Sequence, residues 1–416
     1  MKTAILHYSA PPVIGGVEAV IQAHAAQFAA ADLPLTVIAG RGEPGVLPHG
    51  VDFIRIAEMD TLHPEIADAT GMLNTGQVPG TFESLVERLV SELRPLLPVF
   101  DHVIIHNVLT KHFNLPLTAA LFRLMDEGSL GHTVAWCHDL TWSSPNSRSK
   151  VFAGYPWELL KTLRKDVTYV AISKQRQQEV VDTFGCTSDK VHIIYNGVDP
   201  YTLLDLSEEG AALMERMDLW DADLILLMPV RVTTAKNIEY AMHVVAALKS
   251  LDCHPKLILT GPPDPHDSAS MTYYETLLEL RQRLGVEQEM RFVFESGVRP
   301  GDGYTIDQSI VAELYRTADV MFMPSHREGF GMPVLEAGLI GLPILSTAVP
   351  AVRDLAQDEV LLFSPDEAPL RLAERILDWL KARPEHQLRV KVRQQYTWRA
   401  IFKRDLLPLL EQGRTG

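Results

Sequence analysis

Short β-rich runs alternate with helical patterns along all 416 residues, and that alternation admits few folds. A strand separated from the next by a helix pairs with it in parallel, so the pattern requires βα units and mostly parallel sheets. In the first half the strand candidates are Thr3–His7, Leu35–Ala39, Phe53–Ile56, His102–His106, Thr133–Cys137, Thr168–Ile172 and Val191–Tyr195. After Gly16, the residues Val17, Val20, Ile21, His24 and Phe28 share one helical face, and Glu83–Leu97 reads as another amphipathic helix. The second half starts afresh, with strand candidates Leu224–Pro229, Lys256–Thr260, Arg291–Phe294, Val320–Pro324, Ile344–Ser346 and Leu361–Phe363. Helices are expected over 237–250, 271–284, 332–340 and 368–381. The expectation is an α/β protein of two doubly wound, Rossmann-like domains of about 200 residues each. Their boundary falls near Pro200–Asp221.

The most informative segment is Glu328-Gly-Phe-Gly-Met-Pro-Val-Leu-Glu336, which follows the apolar run Asp319-Val-Met-Phe-Met-Pro-Ser325. It reads as a buried strand, a glycine loop and a helix opened by Pro333, with Glu336 expected in the first turn. Unpaired N–H groups and the positive pole at such a helix end form a site for a phosphate-type anion. Gly329 and Gly331 let the backbone approach a ligand closely. A carboxylate on each side would repel a phosphate. The two glutamates make sense if each accepts hydrogen bonds from hydroxyls flanking a diphosphate, a ribose on one side and a sugar ring on the other. That pattern describes a nucleotide-sugar.

Two glutamates separated by seven residues around Gly-Phe-Gly resemble the signature of retaining GT-B glycosyltransferases, in particular family 4. Other features of that family recur in order: Gly15-Gly16-Val17-Glu18, His138-Asp139, Asn196-Gly197-Val198-Asp199, Arg231, Lys236 and Trp398. The resemblance covers nearly the whole chain. It implies a GT-B fold, two Rossmann-like domains facing across a cleft. Residues 1–200, with a C-terminal helix within 398–416 crossing back, would be the acceptor-side domain, and 201–397 the donor-binding domain.

The resemblance also implies roles. His138, Arg231, Lys236 and Glu328 would be catalytic, and Gly15, Gly16, Gly297, Val298, Gly329, Phe330, Gly331, Met332 and Glu336 would bind the donor. Arg231 and Lys236 lie in a turn before a helix, where a cation can meet the charge that builds on a departing diphosphate. One such contact at about 4 Å and an effective dielectric near 20 contributes about 4 kcal/mol before desolvation. Glu328 would be the sugar-side carboxylate and Glu336 the ribose-side one. His138 would orient a sugar hydroxyl or stabilise the oxocarbenium-like state, not act as a base. Base recognition would rely on backbone groups around Gly297–Arg299. Glu18 is expected to cap its helix or brace the glycine loop.

Two metal-like patterns carry less. Asp221-Ala-Asp223 mimics a D-x-D motif but precedes a strand, where metal-binding carboxylates of that type would lie beyond a strand end. His102 and His106 have the spacing of a helical zinc pair, yet they sit in a β-like run and are expected in the core or at a strand edge. The reading requires no metal and no cofactor, the nucleotide-sugar being a substrate.

A net charge of −15 argues against a nucleic-acid binder. Cys137, Cys186 and Cys253 have no C-x-x-C spacing, which suits reduced thiols in a cytoplasmic protein. The N-terminal apolar run is too short for a signal peptide and reads as the first strand, and no uninterrupted apolar stretch reaches membrane-spanning length. Arg148, Lys150, Lys161, Arg164, Lys165, Lys174 and Arg176 form a basic stretch. Its default reading is a solvated face. The sharper alternative is contact with an anionic acceptor, or with anionic lipid at the inner membrane face. The expected partners are a UDP- or GDP-sugar and a sugar, small-molecule or lipid-linked acceptor. Two rival readings are a GT-B nucleotide-sugar epimerase and a non-catalytic nucleotide-sugar-binding protein.

Overall fold

Buried apolar runs form the strands of a first sheet: β1 (Thr3–Ser9), β2 (Leu35–Arg41), β3 (Val51–Arg55), β4 (His102–His106), β5 (His132–Cys137), β6 (Val167–Ala171) and β7 (Val191–Ile193). All seven positions of β1 are buried, as expected for a central strand covered by helices on both faces. The strand order is β3-β2-β1-β4-β5-β6-β7, and every pairing is parallel. A second sheet contains β8 (Leu224–Met228), β9 (Pro255–Leu259), β10 (Met290–Phe292), β11 (Val320–Met323), β12 (Ile344–Thr347) and β13 (Leu361–Phe363). Its order is β10-β9-β8-β11-β12-β13, again all parallel. Each sheet therefore reverses direction once, between β1 and β4 and between β8 and β11. This computed structural model describes residues 1–263, 268–297, 303–356 and 359–413.

By its internal contacts the chain divides into one unit of Met1–Val198 with Trp398–Gly416 and another of Asp199–Thr397. Trp398 N donates to Val198 O at 3.2 Å, so the chain leaves and re-enters the first unit at one point. Beyond it, Ile401, Phe402, Leu406, Leu409 and Leu410 join the core cluster beneath β1, β2, β4 and β5. The final helix is not continuous: Trp398–Ile401 gives way to a π-helical stretch, Phe402–Leu406, before Leu407–Gln412. Pro408 lies just beyond that stretch and lacks the N–H that a regular α-helical bond would use.

Helices whose apolar period is clear in the sequence form as amphipathic elements. In Phe82–Leu93, the residues Phe82, Leu85, Val86, Leu89, Val90 and Leu93 are all buried, on one stripe. Lys174–Phe184, which lacks so strong a period, is set by its ends. Ser173 Oγ accepts from Arg176 N at the start, and Gly185 takes a left-handed conformation (φ 65°) at the finish. Among the described residues, no helix is long and apolar enough to cross a membrane.

The second unit is held by a dry ion pair at the start of β11. Asp319 accepts from Arg393 Nη1 and Nη2 at 2.8 and 2.9 Å and from Ile225 N at 2.8 Å, and the two side chains are 0% and 5% exposed. This ties the helix Pro384–Gln395 to β8 and β11. Asp319→Ala leaves the guanidinium of Arg393 buried without its carboxylate, and the expected cost is about 3–5 kcal/mol. Hydrogen exchange of the β8 and β11 amides should show the loss, and unchanged protection would contradict it.

Candidate active site

In open parallel sheets the crevice beyond the strand ends opens where the strand order reverses. In the second unit that point lies between β8 and β11. After β8 the chain runs through Arg231 into a 3-10 turn, Thr234–Lys236, and Asn237 then adopts φ 52° to start the helix Ile238–Ser250. After β11 comes the loop Pro324–Gly331. The backbone of His326 donates to Ala235 O at 2.9 Å and joins the two loops. Lys236 Nζ then reaches both carboxylate oxygens of Glu328 at 2.8 Å. Glu328 is 7% exposed and Lys236 22%. Arg231 is exposed nearby in sequence and makes no ion pair among the described residues.

Gly331 holds φ 90°, a left-handed conformation that disfavours a β-carbon, and caps the helix Met332–Ile340. Pro333 occupies the second helical position, not the first, so Glu336 falls at the start of the second turn and not within the first as the sequence suggests. The carboxylate of Glu336 accepts from Tyr315 Oη at 2.7 Å. Tyr315 comes from the helix Gln308–Thr317, and no sequence pattern marks it as a partner. Gly329 and Phe330 are exposed on the loop, and Met332 is exposed at the first position of the helix. Beside the ion pair, a cavity of about 350 Å³ is lined by Thr234, Ala235, Asn237, Glu239, His326 and Arg327. Gly297 is half-buried, whereas Val298 lies outside the described residues.

Asp223 stands at the opposite end of β8. Its carboxylate accepts from His254 N and Gln394 Nε2, both at 2.8 Å, so it staples the strand start.

In the first unit the reversal lies between β1 and β4. Gly15 and Gly16 open the helix Gly16–Ala30. A β-carbon on Gly15 would lie 2.1 Å from Glu18 Oε2, whereas one on Gly16 would meet nothing. Glu18 accepts from Ser9 Oγ at 2.5 Å, which braces the loop against the end of β1. Gly16 is exposed and open to approach.

His138, 5% exposed, follows β5. Asn107, in a left-handed conformation after β4 (φ 60°), accepts from His138 N and Asp139 N through Oδ1 at 2.9 and 3.1 Å. Behind His138 sits a row of buried imidazoles, of which the sequence placed only His106 in the core or at a strand edge. His7 Nδ1 donates to the carbonyl of His106 at 2.9 Å. His106 Nδ1 lies 2.9 Å from His138 Nε2, with the rings stacked 5.2 Å apart at 25°. His24 meets His106, Trp136 and Trp398 at 5.6, 4.8 and 5.6 Å between ring centres. Burial drives His138 down to about 3, helped by the neighbouring His7 and His24, and holds His106 well below the ordinary imidazole range. Both rings are therefore neutral near pH 7.

The tautomers follow from hydrogen-bond accounting. His106 Nε2 is buried without a partner. A buried lone pair left unmatched is cheaper than a buried N–H left unmatched, so His106 carries its proton on Nδ1 and donates it to His138 Nε2. The proton of His138 is then on Nδ1. This makes His138 a hydrogen-bond donor and not a base.

The basic stretch after β5 is largely matched within its own unit. Arg164 pairs with Asp126 and Asp166 at 2.6 and 2.7 Å, and Arg176 with Asp139 and Glu179 at 2.9 and 2.5 Å. Arg148 and Lys161 both lie over the ring of Trp142 at 4.5 Å.

Nitrogen-15 NMR should find His138 as the Nδ1–H form, with no titration between about pH 5 and 8. An Nε2–H signal for His138 would overturn the assignment.

Sequence comparison agrees with this architecture. Residues 14–201 match the Glycosyltransferase Family 4 model, and residues 215–396 match the model of Glycosyl transferases group 1. The chain is 29% identical over 243 residues to an uncharacterized glycosyltransferase of Methanocaldococcus jannaschii, covering 56% of this chain and 57% of that protein. It is 28% identical over 195 residues to a D-inositol 3-phosphate glycosyltransferase of Xylanimonas cellulosilytica, covering 46% and 43%. The chain thus spans about half the length of the curated relatives it matches. A solved glycosyltransferase from Rickettsia africae is 16% identical, with a TM-score of 0.37, and the match covers 100% of this chain and 99% of that one. Two family models lying end to end over two Rossmann-like units place the chain in the group 1, family 4 glycosyltransferases of the GT-B class.

Proposed function

We propose that this protein is a retaining glycosyltransferase that moves a hexose from a UDP- or GDP-linked sugar to an acceptor hydroxyl, without a metal ion. The observation that carries the reading is the Lys236–Glu328 pair at the β8/β11 reversal, with Glu336 eight residues further on and Arg231 unpaired among the described residues. Each member of the pair supplies the other's counter-charge, so neither is left desolvated alone. A donor diphosphate would take over the ammonium of Lys236 together with the guanidinium of Arg231. Glu328 would then be free to accept hydrogen bonds from hydroxyls of the sugar ring. Glu336, already oriented by Tyr315, has a second oxygen for a ribose hydroxyl.

In this reaction the bond from the anomeric carbon to the phosphate oxygen breaks while the acceptor oxygen bonds the same face of that carbon. The acceptor's proton passes to the departing phosphate oxygen, which needs no separate base. His138, whose Nε2 already accepts from His106, is not needed as that base. Negative charge grows on the leaving phosphate during the step, so Lys236 and Arg231 bind the transition state more tightly than the ground state. The acceptor would dock on the first unit, and the basic stretch after β5 keeps a role in acceptor or lipid contact only through the cations that stay unpaired.

Arg231→Ala and Lys236→Ala should each lower turnover by about 10²–10³-fold, with donor affinity changed much less. The measurement is release of UDP and GDP across a donor panel, with and without cell-extract acceptors. Near-normal turnover in both variants would sink the assignment. Release that yields an isomerised sugar with no acceptor present would favour an epimerase instead.

Product NMR should show the donor's anomeric configuration kept, and activity should survive exhaustive chelation. An inverted product would refute the mechanism. A metal requirement abolished by Asp223→Ala would move the chemistry to the other end of β8.

A further inference from the structure

Tyr315 is 2% exposed, on the helix Gln308–Thr317. Its ring belongs to the core cluster that holds Leu314, Met321, Val334 and Ala337, while its hydroxyl donates to Glu336 Oε2 at 2.7 Å. Glu336 is half-buried on the helix Met332–Ile340. Its other oxygen, Oε1, has no hydrogen-bond partner among the described residues and is not covered, so a ligand can reach it. Burial raises the pKa of Tyr315, and the carboxylate of Glu336 raises it further. The phenol is therefore a fixed donor at neutral pH and never a competing acceptor charge.

The helix that carries Tyr315 is braced at both ends. At its start Asp307 Oδ1 accepts from Ser309 N and Ile310 N at 2.9 and 3.0 Å. Near its end Arg316 donates to the carbonyls of Leu204 and Asp205, both at 2.7 Å. Just beyond lies Asp319, held by Arg393 at 2.8 Å. The dry ion pair at the start of β11 thus also anchors the chain that brings the phenol to Glu336.

A glutamate side chain left to itself samples several rotamers, and a ligand that needs one of them must immobilise it. Here a protein hydroxyl has already done so, and it has also taken one of the two oxygens. What remains is a single acceptor oxygen with a set direction. A ligand hydroxyl placed there gains a hydrogen bond to a charged group, whereas a ligand lacking that hydroxyl leaves the oxygen unmatched.

We propose that Tyr315 is a positioning residue for donor specificity: by holding Oε2 of Glu336 it fixes Oε1 as the acceptor for a ribose hydroxyl, and so supplies much of the discrimination of ribose from deoxyribose. That role rests on the transfer reading, which sets Glu336 on the ribose side of the donor. Tyr315 itself touches no substrate and acts only through Glu336.

The test is calorimetric binding of UDP and GDP, and of their 2′- and 3′-deoxy forms, to the full chain. For the base that binds, the unaltered protein should prefer the ribonucleotide about tenfold over at least one deoxy form, and Glu336→Ala should abolish that preference. Tyr315→Phe removes one oxygen and keeps the ring in the core. It should shrink the preference to about threefold or less, by weakening the ribonucleotide while the deoxy form binds as before. Equal weakening of all forms in Tyr315→Phe would show general loosening and overturns the proposal. A full preference in Tyr315→Phe, with loss in Glu336→Ala, also overturns it and leaves the ribose-side role of Glu336 standing. No nucleotide binding, no preference for ribose, or a preference that survives Glu336→Ala overturns that role and the proposal together.

Discussion

The reversal of strand order in each sheet is the constraint on which the rest depends. β8 pairs with β11 and β1 with β4, although neither pair is consecutive in the chain. Connections leaving the two central strands must then turn to opposite faces, and the space between their first loops stays open. That opening brings Lys236 and Glu328 together across 92 residues of sequence. In the first sheet the same geometry sets the end of β1, with His7 and Ser9, beside the end of β4, with His106 and Asn107.

The two ion pairs of the second unit show how burial divides structural from exchangeable charge. Asp319 and Arg393 are almost wholly covered at the amino end of β11, where both carboxylate oxygens of Asp319 and both terminal nitrogens of Arg393 are met by protein. Lys236 and Glu328 stand at the carboxyl end of the same strand, partly open to water and beside a cavity. A dry pair is costly to break by one-sided change, whereas one whose ammonium still reaches water can trade partners at lower cost. One strand therefore carries a lock at its start and a replaceable contact at its end.

The first unit is organised by neutral groups. Four buried histidines, His7, His24, His106 and His138, lie under the strand ends, and burial lowers the pKa of each of them. A neutral imidazole with one fixed N–H is a directional donor, and the directions here run from strand β1 through β4 toward His138. Trp398, arriving from the far end of the chain, closes the row by packing edge-on against His24.

Much of the fold was legible in the sequence. The alternation of buried runs and helical periods determines parallel βα units, because only helices on both faces can cover strands that are apolar throughout. The glycine loop between Glu328 and Glu336, and the turn carrying Arg231 and Lys236, are local features that sequence order alone displays. The partners of those residues are not local. Tyr315 on Glu336, His106 behind His138, Asn107 beneath His138, and the grip of Lys236 on both oxygens of Glu328 depend on which strands become neighbours. The first-turn position expected for Glu336 also yielded to a three-dimensional detail, since the left-handed Gly331 starts the helix one residue before Pro333. Chain-local signals specify elements and candidate groups. Strand order, a balance of non-local packing that no short window contains, decides which groups touch, which stay neutral and which charge is left without a partner.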